Sequence, residues 1–156
     1  MTIRSPRALA LSLAASALTA VVGGVGSRNA PEVYRQLEKP PWAPPAGVFG
    51  PAWSVLYTLI GVAGGRLANA PSPRLPLALH GVQLVLNAAW SPLFFQSRRR
   101  KAALAVVVGM DVAVTAEILT AFRRDRTAAA LLVPYLAWIL YATALNAAVR
   151  DPHGRG

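Results

Sequence analysis

The sequence contains no cysteine, only two histidines and few charged residues of either sign. Without cysteine the chain cannot form a disulfide, a thiolate nucleophile or a cysteine-based metal site. The histidines, His80 and His153, are far apart, so a histidine-rich metal site is not expected. Charged residues make up 14% of the 156 residues and hydrophobic residues 54%. Soluble domains average roughly 25% charged residues, so the composition excludes an ordinary soluble domain and indicates a single membrane domain.

The charge that is present is basic, with a formal net charge of +10. In a soluble protein this excess would indicate nucleic acid as a partner. Here the basic residues cluster between apolar runs, as in Arg98–Lys101 and Arg123–Arg126. Such clusters are typical of loops that meet anionic lipid headgroups, so we expect membrane lipid and not nucleic acid as the partner. The distribution of Lys and Arg leans toward a cytoplasmic C-terminus.

Five apolar segments are long enough to cross ~30 Å of hydrocarbon, which takes about 20 helical residues. The predicted helices run over about 8–26, 48–69, 76–96, 102–122 and 127–149. The predicted fold is therefore an all-α membrane protein, a bundle of five transmembrane helices forming one domain over residues 1–156. Arg66 lies near the end of the second segment, where its long side chain can extend to the interface.

The first segment has a second interpretation, because Arg4 and Arg7 followed by an apolar run also resemble a signal peptide. The cleavage pattern at Ala17–Ala20 is weak, however, and the apolar run continues through Val21 and Val22. This favours a retained helix.

A proline-rich stretch, Lys39–Pro45, lies in the long first loop, about residues 27–47, between the first two predicted helices. Its prolines restrict the backbone and favour a semi-rigid lid, although a plain connector fits the composition equally well. The second helix then carries Phe49, Trp53 and Tyr57, which at four-residue spacing lie along one face. A stiff loop above an aromatic stripe indicates a pocket for something flat and apolar.

Polar and aromatic side chains also share one face on each of two other predicted helices. On the third helix these are Gln83, Asn87, Trp90 and Ser91, and on the fifth they are Pro134, Trp138, Ala142 and Asn146. Packed together, the three faces would form a mostly apolar cavity with a few hydrogen-bonding groups, as in small-molecule sites. The alternative is that the amides bond neighbouring helices and the tryptophans mark the membrane interface. For Trp53, Asn87 and Trp138 together the pocket is favoured.

Two acids, Asp111 and Glu117, lie within the fourth predicted helix, and at six residues apart they point to different faces. Intramembrane acids are candidates for function. For Asp111 we favour a buried hydrogen bond to a hydroxyl such as that of Thr115. Glu117 is expected to approach the interface near Arg123 and Arg124.

Small residues recur at helical spacing in two segments. Gly61 and Gly65 form a Gly-x-x-x-Gly pair, and Ser16, Ala20 and Gly24 are also four residues apart. Both patterns allow close helix approach. Packing within the bundle and a dimer contact are equally compatible with them.

Four stretches together resemble the TspO/MBR family, which comprises the tryptophan-rich sensory proteins and translocator proteins, also called peripheral benzodiazepine receptors. They are Lys39–Pro45, Val48–Tyr57, Gln83–Phe95 and Pro134–Trp138, the last followed by Ala142–Asn146. The resemblance implies a five-helix bundle, commonly a homodimer, in which the pocket under the first loop binds porphyrins such as protoporphyrin IX and synthetic benzodiazepine or isoquinoline carboxamide drugs. The porphyrin, or another haem-pathway intermediate, is the ligand, and no cofactor is implied.

The resemblance also assigns residues. The pocket-lining positions of the family match Tyr57, Asn87, Trp90, Ser91 and Ala142, and the patterns above add Phe49, Gln83 and Asn146. The loop that closes over the ligand matches Trp42, Pro44 and Pro45, with Tyr34 as a loop aromatic. Trp53 and Trp138 match tryptophans associated with photo-oxidative breakdown of porphyrin. The C-terminal cholesterol pattern of animal members is absent, because Tyr141 lies too far before Arg150 for that pattern.

Three functions follow as alternatives. The leading one is a membrane tetrapyrrole-binding protein acting in porphyrin sensing, transport or homeostasis, without a charged relay or nucleotide motif to drive transport. The second is an enzyme in which Trp53 and Trp138 promote light- and oxygen-dependent porphyrin breakdown. The third is a membrane adaptor without a true small-molecule ligand. The expected location is a multi-pass integral membrane protein, and the Ala- and Arg-rich composition fits a bacterial source, with inner and outer membrane both open.

Overall fold

A computed structural model of the protein describes residues 5–153, and its regular elements in that range are all helical. The helices are α1 (Pro6–Gly26), α2 (Ala30–Gln36), α3 (Phe49–Ala68), α4 (Arg74–Ser91), α5 (Arg100–Phe122) and α6 (Arg126–Ala148). A 3-10 turn, Ala46–Val48, precedes α3, and a π-helical turn, Pro92–Gln96, extends α4. Five segments, all but α2, are long and apolar enough to cross a membrane, which confirms the predicted fold class. Arg4 lies outside the described residues.

Local chemistry defines several helix ends. The Ser5 hydroxyl accepts a hydrogen bond from the Ala8 amide at 3.3 Å and caps α1, while the Asp125 carboxylate accepts one from the Ala128 amide at 3.0 Å and caps α6. These caps satisfy amides that have no partner within the helix. Pro92 has no amide hydrogen to continue the ladder of α4. The chain instead widens into the π-helical turn, where the Ser97 amide donates to the Pro92 carbonyl at 2.9 Å.

The five long helices form a closed ring in the order α1, α3, α6, α5, α4, with α4 packing back against α1. Fully buried apolar side chains such as Ile60, Val114 and Leu132 fill the space between them. Large apolar side chains on the outside, including Leu11 and Val85, are exposed. An apolar exterior is what a bundle surrounded by lipid requires, since lipid tails cover it.

Close packing between α1 and α3 depends on the two glycines of the Gly-x-x-x-Gly pair. A Cβ atom at Gly65 would lie 2.8 Å from Leu9 Cα, and one at Gly61 would lie 3.1 Å from Leu13 Cα. The pair is therefore used inside the bundle, and the alternative that it forms a dimer contact is wrong for this face. The integral packing of α1 against α3 and α4 fits a retained span.

Arg66 forms an ion pair with Asp125, at 3.0 Å, and does not extend to the interface as predicted. The two side chains are 16% and 3% exposed. Burial disfavours the charged form of Asp125, but the Ala128 amide and the Arg66 guanidinium outweigh it and hold the pKa of this carboxyl below its ordinary value. The pair joins the end of α3 to the start of α6.

The basic cluster after α4 also forms ion pairs within the protein. Arg100 and Arg98 contact Asp151, at 2.6 and 3.4 Å. Burial opposes the charge of Asp151, yet the hydrogen bond from Arg100 prevails and lowers the pKa of its carboxyl. Beside it, Glu38 and Arg150 exchange backbone hydrogen bonds at 3.0 and 3.1 Å. The C-terminal segment is thereby fixed to the first loop.

Helix α2 was not predicted within the first loop. Its signals are present: Pro31 and Glu32 stand in its first turn, and Arg35 stands in its last. Proline, acid and base at these positions favour a helix. The apolar residues Val33 and Tyr34 are buried and hold α2 against the bundle.

Candidate ligand-binding cavity

One cavity, of about 300 Å³, lies inside the ring beneath the first loop. All six helices and the π-helical turn contribute to its wall. Eight of the predicted site residues line it: Phe49, Trp53, Tyr57, Asn87, Trp90, Ser91, Trp138 and Ala142. The other five, Trp42, Pro44, Pro45, Gln83 and Asn146, do not. The volume lies at the low end of the range for small-molecule sites.

The predicted aromatic stripe of α3 faces this cavity along its whole length. The Trp53 and Tyr57 rings stack with centroids 5.2 Å apart. Across the boundary with α6, the Trp138 ring meets Trp53 edge to face at 6.5 Å and Phe49 at 6.0 Å. Since α3 and α6 are neighbours in the ring of helices, the two faces predicted separately become one continuous aromatic wall.

A second aromatic group comes from α4 and the π-helical turn. The Trp90 and Phe94 rings stack at 4.8 Å, and Phe95 packs edge to face on both. The Arg100 guanidinium lies over the Phe94 ring, 3.9 Å from its centroid, in cation–π contact. Phe94 and Phe95 were not predicted as lining residues, although their spacing of seven and eight residues from Asn87 would have placed them on the same helical face.

Asn87 supplies the main polar group of the cavity and links three helices. Its Oδ1 accepts a hydrogen bond from the Tyr57 hydroxyl at 2.7 Å, and its Nδ2 donates to the Tyr135 hydroxyl at 2.9 Å. Tyr135 is completely buried behind the cavity wall and was missed, although it lies in the predicted fifth helix. The amide is thus held in one orientation at the floor of an otherwise apolar site.

Asn146 lies behind the wall and supports it. The Trp90 indole N–H donates to Asn146 Oδ1 at 3.3 Å, and Asn146 Nδ2 donates to the Arg100 carbonyl at 3.4 Å. The residue therefore joins α4, α5 and α6, as the interhelical alternative predicted for amides. Its place in the predicted lining set is corrected to that of a support for Trp90.

Two side-chain to backbone hydrogen bonds order the first loop over the cavity, one within the loop and one from α6. The Tyr34 hydroxyl donates to the Pro44 carbonyl at 2.6 Å, and the Tyr141 hydroxyl of α6 donates to the Trp42 carbonyl at 3.0 Å. Tyr34 also lines the cavity, while burial raises the pKa of its phenol. Trp42 itself is 48% exposed and packs on Tyr141 outside the cavity. This anchoring favours the lid over the plain connector.

Gln83 points away from the cavity, toward a buried pair formed by His80 and Glu117. Its Nε2 lies 3.5 Å from His80 Nδ1, which is 2.7 Å from Glu117 Oε1. Glu117 is fully buried, so the expectation that it approaches the interface near Arg123 and Arg124 is wrong. A partner on another helix, 37 residues away in sequence, holds it inside.

Asp111 accepts a hydrogen bond from a hydroxyl, as expected, but the donor is Thr143 of α6 at 2.7 Å. The Thr115 hydroxyl donates instead to the Asp111 backbone carbonyl at 2.7 Å. The acid therefore links α5 to α6 and lies outside the cavity wall. Within residues 5–153, no three His, Asp or Glu side chains come together as metal ligands would.

Comparison with known proteins places these features in context. A sequence model described as the TspO/MBR family matches residues 8–151, which include α2 to α6 and all of α1 except its first two residues. The chain is 43% identical over 115 residues to the tryptophan-rich sensory protein of Cereibacter sphaeroides, covering 74% of this chain and 73% of that protein.

Relatives also occur in animals and archaea. The chain is 39% identical over 130 residues to the human translocator protein, covering 78% of this chain and 75% of the relative. It is 37% identical over 147 residues to the tryptophan-rich protein TspO of Archaeoglobus fulgidus, covering 89% and 95%. The family match over residues 8–151 spans the first loop, the aromatic wall and Asn87 described above.

Proposed function

The chain belongs to the TspO/MBR family and is an integral multi-pass membrane protein, and we propose that it binds a tetrapyrrole, such as protoporphyrin IX, in the cavity beneath its lid. Binding of this ligand serves porphyrin sensing, transport or homeostasis. The proposal rests on the chemistry of the cavity together with the family resemblance.

The observation that carries it is the aromatic wall beside a single oriented amide. The Trp138 ring lies edge to face against Phe49 at 6.0 Å and against Trp53 at 6.5 Å. Aromatic rings favour a flat conjugated partner through stacked and edge-to-face contacts. Asn87 adds hydrogen-bonding capacity at one point of the floor. A porphyrin offers a large apolar ring with pyrrole nitrogens and carboxylate substituents, which suits this combination.

The lid determines how a macrocycle enters. At about 300 Å³ the closed cavity is small for a porphyrin, so we expect the first loop to shift outward on binding. Such a shift breaks the bond from the Tyr141 hydroxyl of α6 to the Trp42 carbonyl, and it loosens the bond from Tyr34 to Pro44, which lies within the loop. Each contributes on the order of 1 kcal/mol, so the opening is energetically accessible.

Tryptophan fluorescence, titrated with protoporphyrin IX in the dark, tests the proposal. Trp53, Trp90 and Trp138 line the cavity, whereas Trp42 does not, so a bound porphyrin should quench most of the emission. We expect saturable quenching at about one porphyrin per chain. Asn87→Ala and Trp138→Ala should weaken it.

The matched control is Val85→Ala, since Val85 is on α4 with Asn87 but is 69% exposed on the outer surface. This variant should bind as the parent does. Linear quenching that never saturates, equal in all variants, would mean that the porphyrin only partitions into the detergent or lipid. That result would reject the binding proposal and favour the membrane adaptor.

The Trp53–Trp138 contact favours a second candidate function, light- and oxygen-dependent breakdown of the bound porphyrin. Two indoles with centroids 6.5 Å apart at the cavity wall are placed to pass an electron to an excited ligand in the same space. Molecular oxygen is the oxidant, and the protein supplies binding and orientation.

The homodimer that the family resemblance implies stays a prediction. The glycine pair of α3 packs against α1, so a dimer contact must use another lipid-facing surface. Light scattering of the protein purified in detergent measures the oligomeric state directly.

A further inference from the structure

A group of buried polar side chains lies between α1, α3, α4 and α5, apart from the cavity. Its centre is the pair His80 and Glu117, whose side chains are 7% and 0% exposed and whose Nδ1 and Oε1 atoms are 2.7 Å apart. Gln83 of α4 adjoins the imidazole. None of these three residues lines the cavity.

Five polar atoms in this region, within the described residues, are buried and have no hydrogen-bond partner in the protein. They are Ser12 Oγ, Ser16 Oγ, His80 Nε2, Gln83 Oε1 and Glu117 Oε2. A buried polar group without a partner costs roughly 1 to 3 kcal/mol. Internal water molecules commonly satisfy such groups, each making about three hydrogen bonds. Five unpartnered atoms within one region of a membrane bundle therefore indicate a site for water.

Gly64 faces this site. A Cβ atom added there would come closer than van der Waals contact to both Ser12 Oγ and His80 Nε2. These two atoms therefore flank the same point beside the glycine backbone. The position must therefore stay without a side chain, because any Cβ there would displace Ser12 or His80.

The protonation of the pair follows from its surroundings. An isolated carboxylate inside the bundle would carry a desolvation cost of several kcal/mol, so the pair is favoured when it is neutral overall. It then holds one proton between Glu117 Oε1 and the ring, either as a carboxylic acid donating to His80 Nδ1 or as an imidazolium donating to the carboxylate. The neighbouring helices α1 and α3 contribute the uncharged residues Ser12, Ser16 and Gly64, and the Tyr135 phenol of α6 is held by Asn87.

We propose that His80, Glu117 and Gln83, with Ser12 and Ser16, form an internal site that binds water and holds one exchangeable proton. His80 lies six residues inside the start of α4, and Glu117 five residues inside the end of α5. At 1.5 Å per residue these depths are about 9 and 7.5 Å. The site is therefore reached from the end of the bundle opposite the lid, and protons exchange with that aqueous side.

Nuclear magnetic resonance of nitrogen-15-labelled histidine in lipid nanodiscs tests this directly. The chain has only two histidines, so His153→Gln leaves His80 as the single imidazole signal. We expect its ring hydrogen to exchange in deuterated water much faster than the backbone amides of α4. In this background Glu117→Gln should change which ring nitrogen carries hydrogen, since the carboxyl partner is lost.

The matched control is Asp111→Asn, which neutralises another acid of the same helix whose partner is Thr143. It should leave the His80 signal unchanged. Ser12→Ala removes one of the five unpartnered atoms and leaves His80 and Glu117 in place. It should slow ring exchange on the order of fivefold, because the bound water loses one hydrogen-bond partner.

A ring hydrogen that exchanges as slowly as the backbone amides of α4 would overturn the proposal and indicate a dry structural pair. No porphyrin is used, so this outcome is independent of the proposed function.

Discussion

The Tyr57 hydroxyl donates a hydrogen bond to Asn87 Oδ1 across the bundle, at 2.7 Å, and joins the aromatic wall of α3 to the polar floor of α4. The same amide donates to Tyr135 on its other side. Tyr57 lines the cavity, whereas Tyr135 lies behind it. Two tyrosines therefore hold one amide from opposite sides, and only one of them can touch a ligand.

Removing the Tyr57 and Tyr135 hydroxyls one at a time distinguishes a residue that contacts the ligand from one that only supports Asn87. We expect Tyr57→Phe to change porphyrin affinity about fivefold, because a net hydrogen bond is worth about 1 kcal/mol and the freed Asn87 oxygen faces the ligand. Tyr135→Phe should mainly lower thermal stability, since it leaves a buried amide donor unpaired. Fluorescence titration and melting by circular dichroism measure the two effects. Equal affinity losses in both variants would contradict this division of roles.

The lid bonds predict a kinetic effect. Tyr34→Phe combined with Tyr141→Phe removes the hydroxyl donors to the Pro44 and Trp42 carbonyls. We expect the bound porphyrin to dissociate faster, on the order of fivefold or more, because two bonds of about 1 kcal/mol no longer close the loop. Stopped-flow displacement measures this rate.

Ser54→Ala is the control for the lid variant. It removes a hydroxyl that bonds only its own helix, at the Gly50 carbonyl, so the dissociation rate should stay at the parental value. An unchanged rate in the double tyrosine variant would restore the plain connector as the interpretation of the first loop.

The spacing of residues within one helix was the most informative part of the sequence. Phe49, Trp53 and Tyr57 face the cavity together because their period is a property of the helix alone. Gln83 and Asn146 were assigned to the same faces as Asn87 and Trp138, yet they point away. Their side chains lie at the edges of those faces. Whether such a residue reaches the cavity depends on the packing of the neighbouring helices, which the sequence does not give.

Contacts between distant positions were not accessible from the sequence. Glu117 is only five residues from the end of α5, which in the sequence suggests the membrane interface. Its partner His80 is on α4 and reaches it only because α4 packs on α5. Arg66 similarly has the sequence position of an interfacial cation, but the structure pairs it with Asp125, the capping residue of α6. In both cases the charged residue pairs with a residue of another helix or its cap, and spacing within one helix cannot identify such a partner.

The Arg66–Asp125 pair predicts a pH-dependent contribution to stability. Asp125→Asn keeps an N-cap side chain on α6 but leaves Arg66 without its carboxylate, and we expect a loss on the order of 3 kcal/mol at neutral pH. Since the pKa of Asp125 is lowered in the fold, its contribution is full above the ordinary value of 3.8 and disappears as the pH falls through the lowered value.

Melting curves of parent and variant should therefore differ at neutral pH and converge in acid. Glu32→Gln is the control, because that acid pairs with Arg35 on the exposed surface of α2 and should have little effect at any pH. A gap between parent and Asp125→Asn that widens in acid would contradict the pairing.

The glycine face of α3 predicts strong sensitivity to size. Gly65→Leu introduces a side chain whose first carbon already lies 2.8 Å from Leu9 Cα, so α1 must move away. We expect a severe loss of stability, of several kcal/mol, or loss of the folded protein. Gly81→Ala, where a Cβ meets no atom within 4 Å, should be tolerated. Comparable yield and melting for both variants would mean that α1 does not pack on α3.

The indole pair at the wall predicts how the photochemical candidate depends on Trp53 and Trp138. Phenylalanine keeps an apolar ring in each place but is far harder to oxidise than indole. If the pair passes electrons to an excited porphyrin, Trp53→Phe with Trp138→Phe should abolish product formation under light and oxygen while binding in the dark is largely kept. Trp42→Phe is the matched control, since that indole lies outside the cavity. Absorbance of the porphyrin band followed under illumination gives the rate. Breakdown at the parental rate in the double variant would show that the porphyrin reacts with oxygen by itself, and the protein would then be a binding protein alone.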